Sequence, residues 1–531
     1  MVATTAQLQN REHSWTHTGI PLPRARDPST SSGDCVTYTY DGEGNIQTRT
    51  DAQGDTSYTY NRVNRLSSTT TPDASIMNYA YSPDGKMTKL EQKLPGNITD
   101  VVDYTHDKAN LPQTVTDAVG TINITSDKRS RESTVTFPTT GASKVVLTRT
   151  YQKSGHPKEV KVARGSSDTL PDYTYSYQSG GINTSRMDKL TINGSTSLIN
   201  DTIDYTYTNG KLTGANSAGF ANYSYNYDKA GNLTKQTKGG VDTNFFNDLA
   251  SRLRAKGPDA ELTSQLIVPF VDPVTGMTRE TPIPSSATRY TSDAAGNNLG
   301  PNGSTTQNIT YNGFGQAASI GVRTQSYLDT TNELRVNTGV NTMTLSTLGV
   351  VSLNGPNGRV FYTRAPNGRI LDSRGPPAVN YNITDRQGSA ALIVDNAGNR
   401  AAVYQYSPYG DSSVLEQDSN NAGIKNPFRY VGGYNDTEGD GYLALGARLY
   451  DGGSHFTSSD PLPGKLIDPL TIQRYVYGVC DPVNNMDPTG RWSCGFGQWV
   501  DLAGTRCFRS SFGIGSCSRR AWGHRGWAFH R

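Results

Sequence analysis

The stretch Tyr38-Thr-Tyr-Asp-Gly-Glu-Gly-Asn45 decides the fold of this chain, because close copies of it return along the sequence. Its Tyr-x-Tyr element recurs at Tyr58-Thr-Tyr60 and Tyr79-Ala-Tyr81, so the second tyrosine of successive copies falls at positions 40, 60 and 81. A period of about 20 residues is long enough for one strand, one turn and one return strand. The sequence therefore predicts a chain built from repeated β-hairpins.

Each copy divides into a strand and a turn. The Tyr-x-Tyr alternation places both rings on one face of a β-strand, where we expect them to serve as packing residues. The turn is an Asp-x-x-Gly-Asn cassette, which recurs at Asp228–Asn232, Asp293–Asn297 and Asp395–Asn399. Such a cassette predicts an Asx-type turn with one residue at positive φ. Because one hairpin is marginally stable alone, we expect the units to join edge to edge into continuous sheets.

The composition agrees with an all-β fold. Hydrophobic residues make up only 34% of the chain, and its 30 Tyr residues outnumber 13 Phe and 5 Trp. Tyrosine suits a pleated surface, whereas a compact enzyme of this length normally holds more aliphatic residues. Residues 254–286 and the segment from Asn354 to Pro377 are rich in Pro or Gly and are predicted to be long loops. The segment from Asn247 to Lys256 is the one modest helix candidate.

Charge and hydropathy narrow the functional classes. The net charge of +3 is small for 531 residues, so we expect no nucleic-acid partner for the repeat region. The sequence contains no run of 18 apolar residues, and it predicts no transmembrane segment. Residues 1–34 lack a signal-peptide h-region and are predicted to be a non-repeat leader. An exported form would leave the cytoplasm by a non-Sec route, to the medium or the cell surface.

Six motifs follow one another after residue 379: Tyr381-Asn-Ile-Thr-Asp-Arg-Gln-Gly-Ser389, Tyr404-Gln-Tyr-Ser-Pro-Tyr-Gly410, Asn426-Pro-Phe-Arg-Tyr430, Tyr442-Leu-Ala-Leu-Gly-Ala-Arg-Leu-Tyr-Asp451, Asp460-Pro461 and Asp487-Pro-Thr-Gly490. In this order they resemble the core region of Rhs/YD-repeat proteins, which are related to the TcC components of Tc toxins and to teneurins. The Tyr-x-Tyr units upstream resemble YD repeats over much of residues 36–320.

The resemblance implies a spiralling, hollow β-shell with a core segment that curls inward and plugs one end. It divides the chain into a leader (residues 1–34), a repeat wall (35–378), a core (379–490) and a variable tail (491–531). In many relatives the segment after the core is a toxin, which is enclosed by the shell and released by self-cleavage.

The resemblance also implies a catalytic site. Self-cleaving relatives use two Asp residues and one Arg, and the matching positions here are Asp460, Asp487 and Arg448. Two carboxylates that share one proton can activate water and protonate the leaving amine. The expected cleavage site is Gly490-Arg491-Trp492. The alternative is that both Asp-Pro pairs only form turns, with Arg448 in a structural salt bridge.

The sequence departs from the family pattern near this site. His455 stands where relatives commonly have Arg, and Arg491 stands where the scissile position usually presents Leu. His455 could act as a general base, although a lone His in a turn is more often a polar surface residue. At most, then, the chain is an intramolecular aspartyl-type autoprotease, and the sequence predicts no cofactor.

The tail differs sharply in composition from the body. Residues 491–531 hold four of the five Trp, three of the five Cys, seven Arg and one acidic residue. Cys494, Cys507 and Cys517, with His524 or His530, could bind zinc, but their spacing matches no standard pattern, so no metal site is predicted. The tail is interpreted as an inactive remnant or as a membrane- or nucleic-acid-binding peptide.

These observations lead to two hypotheses. The first is a polymorphic-toxin or Tc-like shell whose cargo is its own tail, with toxin-complex or secretion-system partners or an immunity protein. The second is a non-cleaving surface or wall-associated adhesin that binds carbohydrate, or a truncated remnant. Self-cleavage distinguishes them.

Overall fold

The computed structural model describes most of the repeat region and the segment that follows it. The described residues are 5–6, 36–51, 53–141, 144–165, 170–179, 182–183, 185–194, 200–258, 270–271, 278–279, 283–328, 335–376, 378–417, 426–435, 441–453, 455–462, 464, 472–491, 494–495, 498–500 and 507–509. Trp492, Cys517, His524 and His530 lie outside the described residues, as do the side chains of Cys494 and Cys507.

Almost all the regular structure in the described residues is β-strand, which confirms the predicted all-β class. Two short 3₁₀ turns, Tyr430–Gly432 and Gly478–Cys480, interrupt it. Among the described residues no helix has the length and apolar character needed to cross a bilayer. The strands in chain order are β1 Thr5–Ala6, β2 Thr37–Tyr40, β3 Ile46–Asp51, β4 Gly54–Tyr60, β5 Leu66–Thr70, β6 Ile76–Tyr81, β7 Met87–Leu94, β8 Ile98–His106, β9 Pro112–Thr116, β10 Thr121–Ser126, β11 Glu132–Thr136, β12 Val145–Tyr151, β13 Pro157–Arg164, β14 Asp172–Ser176, β15 Gln178–Ser179, β16 Ile182–Asn183, β17 Lys189–Asn193, β18 Asp201–Thr208, β19 Lys211–Ser217, β20 Tyr223–Tyr227, β21 Leu233–Lys238, β22 Val241–Asn247, β23 Leu253–Gly257, β24 Phe270–Val271, β25 Thr278–Arg279, β26 Thr288–Ser292, β27 Asn298–Pro301, β28 Ile309–Tyr311, β29 Ala317–Ile320, β30 Arg323–Thr324, β31 Ser326–Tyr327, β32 Arg335–Asn337, β33 Thr342–Ser346, β34 Gly349–Gly355, β35 Gly358–Arg364, β36 Ile370–Gly375, β37 Ala378–Thr384, β38 Ala390–Asp395, β39 Arg400–Tyr406, β40 Ser412–Gln417, β41 Tyr434–Asn435, β42 Leu443–Leu445, β43 Arg448–Tyr450, β44 Asn485–Met486, β45 Cys494–Gly495, β46 Gln498–Val500 and β47 Cys507–Arg509.

Two long antiparallel sheets account for most of these strands. The first sheet has 23 strands and runs from β1 to β27, with β15, β16, β24 and β25 pairing outside it. The second sheet has ten strands and runs from β31 to β40. Sequence neighbours pair with each other in both sheets, as β6 does with β7 and β37 with β38. This order is the meander that a chain of repeated hairpins predicts.

The turn cassettes have the predicted geometry. In Asp228–Asn232, the carboxylate of Asp228 accepts the backbone N–H of Asn232 at 2.8 Å and its side-chain amide at 2.7 Å. Gly231 has a φ of +92°, a conformation that favours glycine. A register shift between Asn226 and Tyr227 precedes this turn, which is closed by its own residues.

The helix prediction for Asn247 to Lys256 is wrong. The segment is the end of β22, a turn and most of β23. The turn is a variant cassette, in which Asp248 accepts the N–H of Arg252 at 3.0 Å and Ser251 takes the positive φ of +63°. Serine in the glycine position hid the turn from the pattern.

The loop prediction for Asn354 to Pro377 is also wrong. Its Gly and Pro residues form the tight turns between β34, β35, β36 and β37. Of residues 254–286, the part up to Gly257 belongs to β23. Most of the remainder lies outside the described residues.

The buried faces of the two sheets pack against each other. One hydrophobic cluster contains Val115 and Val160 from the first sheet, Leu371 and Leu392 from the second, and Tyr477 from the chain that follows. Hydrogen bonds and ion pairs also connect the sheets, between Glu132 and Arg369, Arg149 and Thr384, Arg164 and Asn399, Thr140 and Asn396, Tyr227 and Tyr409, and Lys238 and Asp411. The second sheet is thus a further layer laid on the first.

A buried cluster of Asp100, Asp117, Asp372 and Arg374, here called the interlayer cluster, also joins the layers. Arg374 bonds both oxygens of Asp100, at 2.5 and 3.0 Å. Its Nε lies 3.3 Å from a carboxylate oxygen of Asp117 and 3.3 Å from one of Asp372. Burial, followed by the charge of Asp117, raises the pKa of Asp372 well above its usual range. One guanidinium therefore holds three carboxyl groups, and burial favours the protonated form of Asp372.

Candidate functional site

Arg448, Asp460 and Asp487, the three residues predicted to carry chemistry, meet at one point. Arg448 begins β43, Asp460 follows that strand in a loop, and Asp487 comes directly after β44. The Nη2 atom of Arg448 lies 3.0 Å from Asp460 Oδ2 and 2.9 Å from Asp487 Oδ2. A single guanidinium nitrogen therefore joins the two carboxyl groups.

The same groups hold the predicted scissile peptide at both ends. The Nε of Arg448 donates to the carbonyl oxygen of Gly490. The backbone N–H of Arg491 donates to Asp487 Oδ1 at 3.0 Å. The Gly490–Arg491 bond thus lies between a cation at its carbonyl and a carboxylate at its amide. Trp492, the third residue of the predicted cleavage site, is outside the described residues.

Gly490 adopts a conformation that only glycine takes easily. Its φ is +63°, and an added Cβ would lie 2.3 Å from the carbonyl oxygen of Leu445. Thr489 is fixed beside it, because its carbonyl accepts the N–H of Ala447 at 2.8 Å. The backbone around the bond is therefore pinned to the turn between β42 and β43.

Burial sets the electrostatics of the site. The side chains of Arg448 and Asp487 are 2% and 1% exposed, whereas that of Asp460 is 18% exposed. Burial raises the pKa of Asp460 to about 6, although Arg448 opposes the shift. Burial also lowers the pKa of Arg448, against the pull of the two carboxylates. Asp460 is thus the more exposed carboxyl group of the site, and burial favours its protonated form.

The surroundings rigidify the arginine. The guanidinium of Arg448 lies over the ring of Phe456, 3.5 Å from its centroid. A cavity of about 10 Å³, lined by Arg448, Gly446 and Ser458 among others, has the volume that one water molecule needs. Sequence reasoning found neither Phe456 nor Ser458, because no local pattern connects them with the arginine.

His455 is not a surface residue, which corrects that expectation. Its residue is 5% exposed, and its ring packs beside Phe245 at a centroid distance of 6.1 Å. Burial lowers the pKa of its imidazole. His455 is therefore a packed residue of the neighbouring turn.

The fold and site together define a class: an all-β repeat protein with an Asp–Asp–Arg site after its second sheet. The RHS Repeat family model matches residues 40–76. Two curated proteins are each 37% identical over 107 residues: "tRNA3(Ser)-specific nuclease WapA" of Bacillus spizizenii and "tRNA nuclease WapA" of Bacillus subtilis strain 168. The chain thus carries an RHS repeat and is similar to Rhs/YD-repeat proteins.

Two solved structures align with most of this chain. The crystal structure of TcdB2-TccC3-TEV aligns with 90% of this chain and 30% of its own, at 15% identity and a TM-score of 0.47. The Photorhabdus luminescens Tc holotoxin pore with the mutation TccC3-D651A aligns with 87% and 28%, at 13% identity and a TM-score of 0.44. The matches to the WapA proteins cover 20% of this chain and 4% of each relative, so the chain spans a small part of their length.

Proposed function

We propose that the chain is an Rhs-type, toxin-like shell protein that encloses its C-terminal segment and cuts that segment free between Gly490 and Arg491. The observation that carries the proposal is the double hold on this peptide bond. Arg448 donates to its carbonyl oxygen, and Asp487 accepts its N–H. Detecting the cut chain by intact mass spectrometry is the direct test.

The chemistry is a hydrolysis by two carboxyl groups with one proton between them. The ionised carboxylate takes a proton from water as the water oxygen bonds to the carbonyl carbon of Gly490. Arg448 stabilises the negative charge that develops on the carbonyl oxygen. The protonated carboxyl then gives its proton to the nitrogen of Arg491 as the C–N bond breaks. The products are the Gly490 carboxyl group and the Arg491 amine, and the pair again holds one proton.

The pH dependence follows from Asp460. Its pKa of about 6 means that the pair loses its shared proton as pH rises through this value. We expect the rate of cleavage to fall as pH rises from 5.5 to 8 by roughly tenfold per unit once above the pKa. The protein refolded at a series of pH values and sampled over time on denaturing gels gives the profile. A rate that climbs steadily to pH 8 contradicts the shared-proton mechanism.

Arg448→Lys should slow cleavage by roughly 100-fold, because a point charge replaces a planar group that reaches both carboxylates and the Gly490 carbonyl. The measurement is the cleavage rate at pH 5.5, with circular dichroism to confirm the β fold. Arg129→Lys is the matched control, because Arg129 is an exposed arginine that donates to the carbonyl of Lys153. Equal rates for wild type and Arg448→Lys would remove Arg448 from the mechanism.

The proposal also includes a division of the chain into leader, wall, core and tail, with boundaries at 34, 378 and 490. The tail is the cargo. The protein is exported to the medium or the cell surface by a non-Sec route, and its partners belong to a toxin complex or a secretion system or include an immunity protein. The WapA similarity and the RHS repeat support this toxin-like context.

A further inference from the structure

Arg474 holds Asp460 from two sides. Its backbone carbonyl accepts the N–H of Asp460 at 2.8 Å. Its side chain also binds Asp460: Nε donates to the backbone carbonyl oxygen of Asp460 at 3.2 Å, and Nη2 donates to the same oxygen. The backbone of Asp460 is therefore fixed at both its N–H and its C=O by one residue.

The same residue also fixes the catalytic arginine. The carbonyl oxygen of Arg474 accepts a hydrogen bond from Nη1 of Arg448 at 2.9 Å. This contact leaves Nη2 of Arg448 to bridge the two carboxylates and Nε to reach Gly490. Arg474 thus contacts both sides of the ion pair between Arg448 and Asp460 without touching the scissile peptide.

The position of Arg474 is at the solvent side of the site. Arg474 is exposed, as is Pro461, which follows Asp460. Asp460 is the more exposed of the two carboxyl groups, so water and protons reach the pair on the side where Arg474 lies. A second guanidinium there adds positive charge next to the carboxyl group that titrates, and it favours the ionised form.

We propose that Arg474 is a positioning residue for self-cleavage, which orients Asp460 and sets the pH at which the carboxyl pair works. The proposal rests on the self-cleavage proposed above and deepens it. The two contributions are separable: the double contact to the Asp460 carbonyl requires the guanidinium fork, whereas the effect on protonation requires only positive charge.

Two variants separate these contributions. Arg474→Gln removes the charge and should move the alkaline limb of the cleavage profile upward by roughly half a pH unit, because the carboxyl of Asp460 then keeps its proton longer. Arg474→Lys retains the charge and should leave the limb in place, while the rate falls by roughly tenfold from the looser hold on Asp460. Arg129→Gln is the control, and its rate and limb should equal those of the wild type.

The experiment is a pH series of cleavage for the full-length chain, read by intact mass. A limb that moves in Arg474→Gln but not in Arg474→Lys supports the proposal. An alkaline limb that stays at the wild-type pH in Arg474→Gln overturns the proposal, even if the cleavage rate falls. A purely structural role for Arg474 would lower the yield of folded protein without moving the alkaline limb. A wild type that stays uncut at every pH instead overturns the proposed self-cleavage, and this is seen before any variant is compared.

Discussion

Asp460→Asn and Asp487→Asn are each expected to leave the 57.5 kDa chain uncut, whereas the wild type is expected to give a large fragment ending at Gly490 and a 41-residue peptide beginning at Arg491. Asparagine keeps the size of the side chain but cannot share the proton or carry the charge. The loss should be at least 1,000-fold in rate, on the order of what an acid–base pair contributes.

The control for this experiment is Asp395→Asn. Asp395 accepts the N–H of Asn399 in a turn of the second sheet, so this variant loses a carboxylate far from the site in sequence and in hydrogen bonding. It should cleave as the wild type does. Mass spectrometry after denaturation detects the peptide even when it stays bound to the large fragment. Cleavage at the normal rate in either site variant would show that another group performs the reaction.

Arg374→Ala should destabilise the protein by about 3–5 kcal/mol, because it leaves the carboxyl groups of the interlayer cluster buried without their cation. All four side chains are at most 8% exposed, so water cannot replace the arginine at low cost. Urea denaturation followed by tyrosine fluorescence measures the loss. The pKa of Asp372 is raised in the folded protein, so its protonated form contributes most to folding stability at low pH. The loss of stability in the variant should also be smallest in acid, where protonation neutralises the remaining carboxyl groups.

An exposed ion pair provides the comparison. Lys93 lies 3.3 Å from Glu91, and its side chain is 51% exposed. Lys93→Ala should therefore change stability by about 1 kcal/mol or less. A similar small loss in Arg374→Ala would mean that the two layers do not depend on the interlayer cluster.

The repeated local features are what the sequence predicts well. The tyrosine period and the Asp-x-x-Gly-Asn cassette depend on contacts within about five residues, and the structure has them where they were expected. The pattern failed where a turn kept its geometry but used other residue types. Ser251 takes the glycine position of a turn, and Pro356 and Gly358 close a hairpin that their composition suggested was a loop.

Contacts between distant residues could not be predicted in the same way. Arg374 and Asp100 are 274 positions apart, and neither belongs to a motif. Arg448, Asp460 and Asp487 were identified only because the surrounding motifs resemble a family, and nothing in their spacing predicts that they meet. Arg474 was missed because its role depends on the backbone carbonyl of Asp460, which carries no signature in the sequence.

The self-closed turns have an evolutionary consequence. Several turns are satisfied by their own aspartate, as at Asp228 and Asp395, so duplication or deletion of one such 20-residue unit should leave the turns of the neighbouring hairpins intact. The layer contacts limit where this is tolerated. Arg164 and Asn399 are 235 positions apart and form a hydrogen bond between the two layers. A unit inserted between them would shift every later strand relative to its partner in the other layer. Changes in repeat number should therefore accumulate outside the segments that such contacts connect.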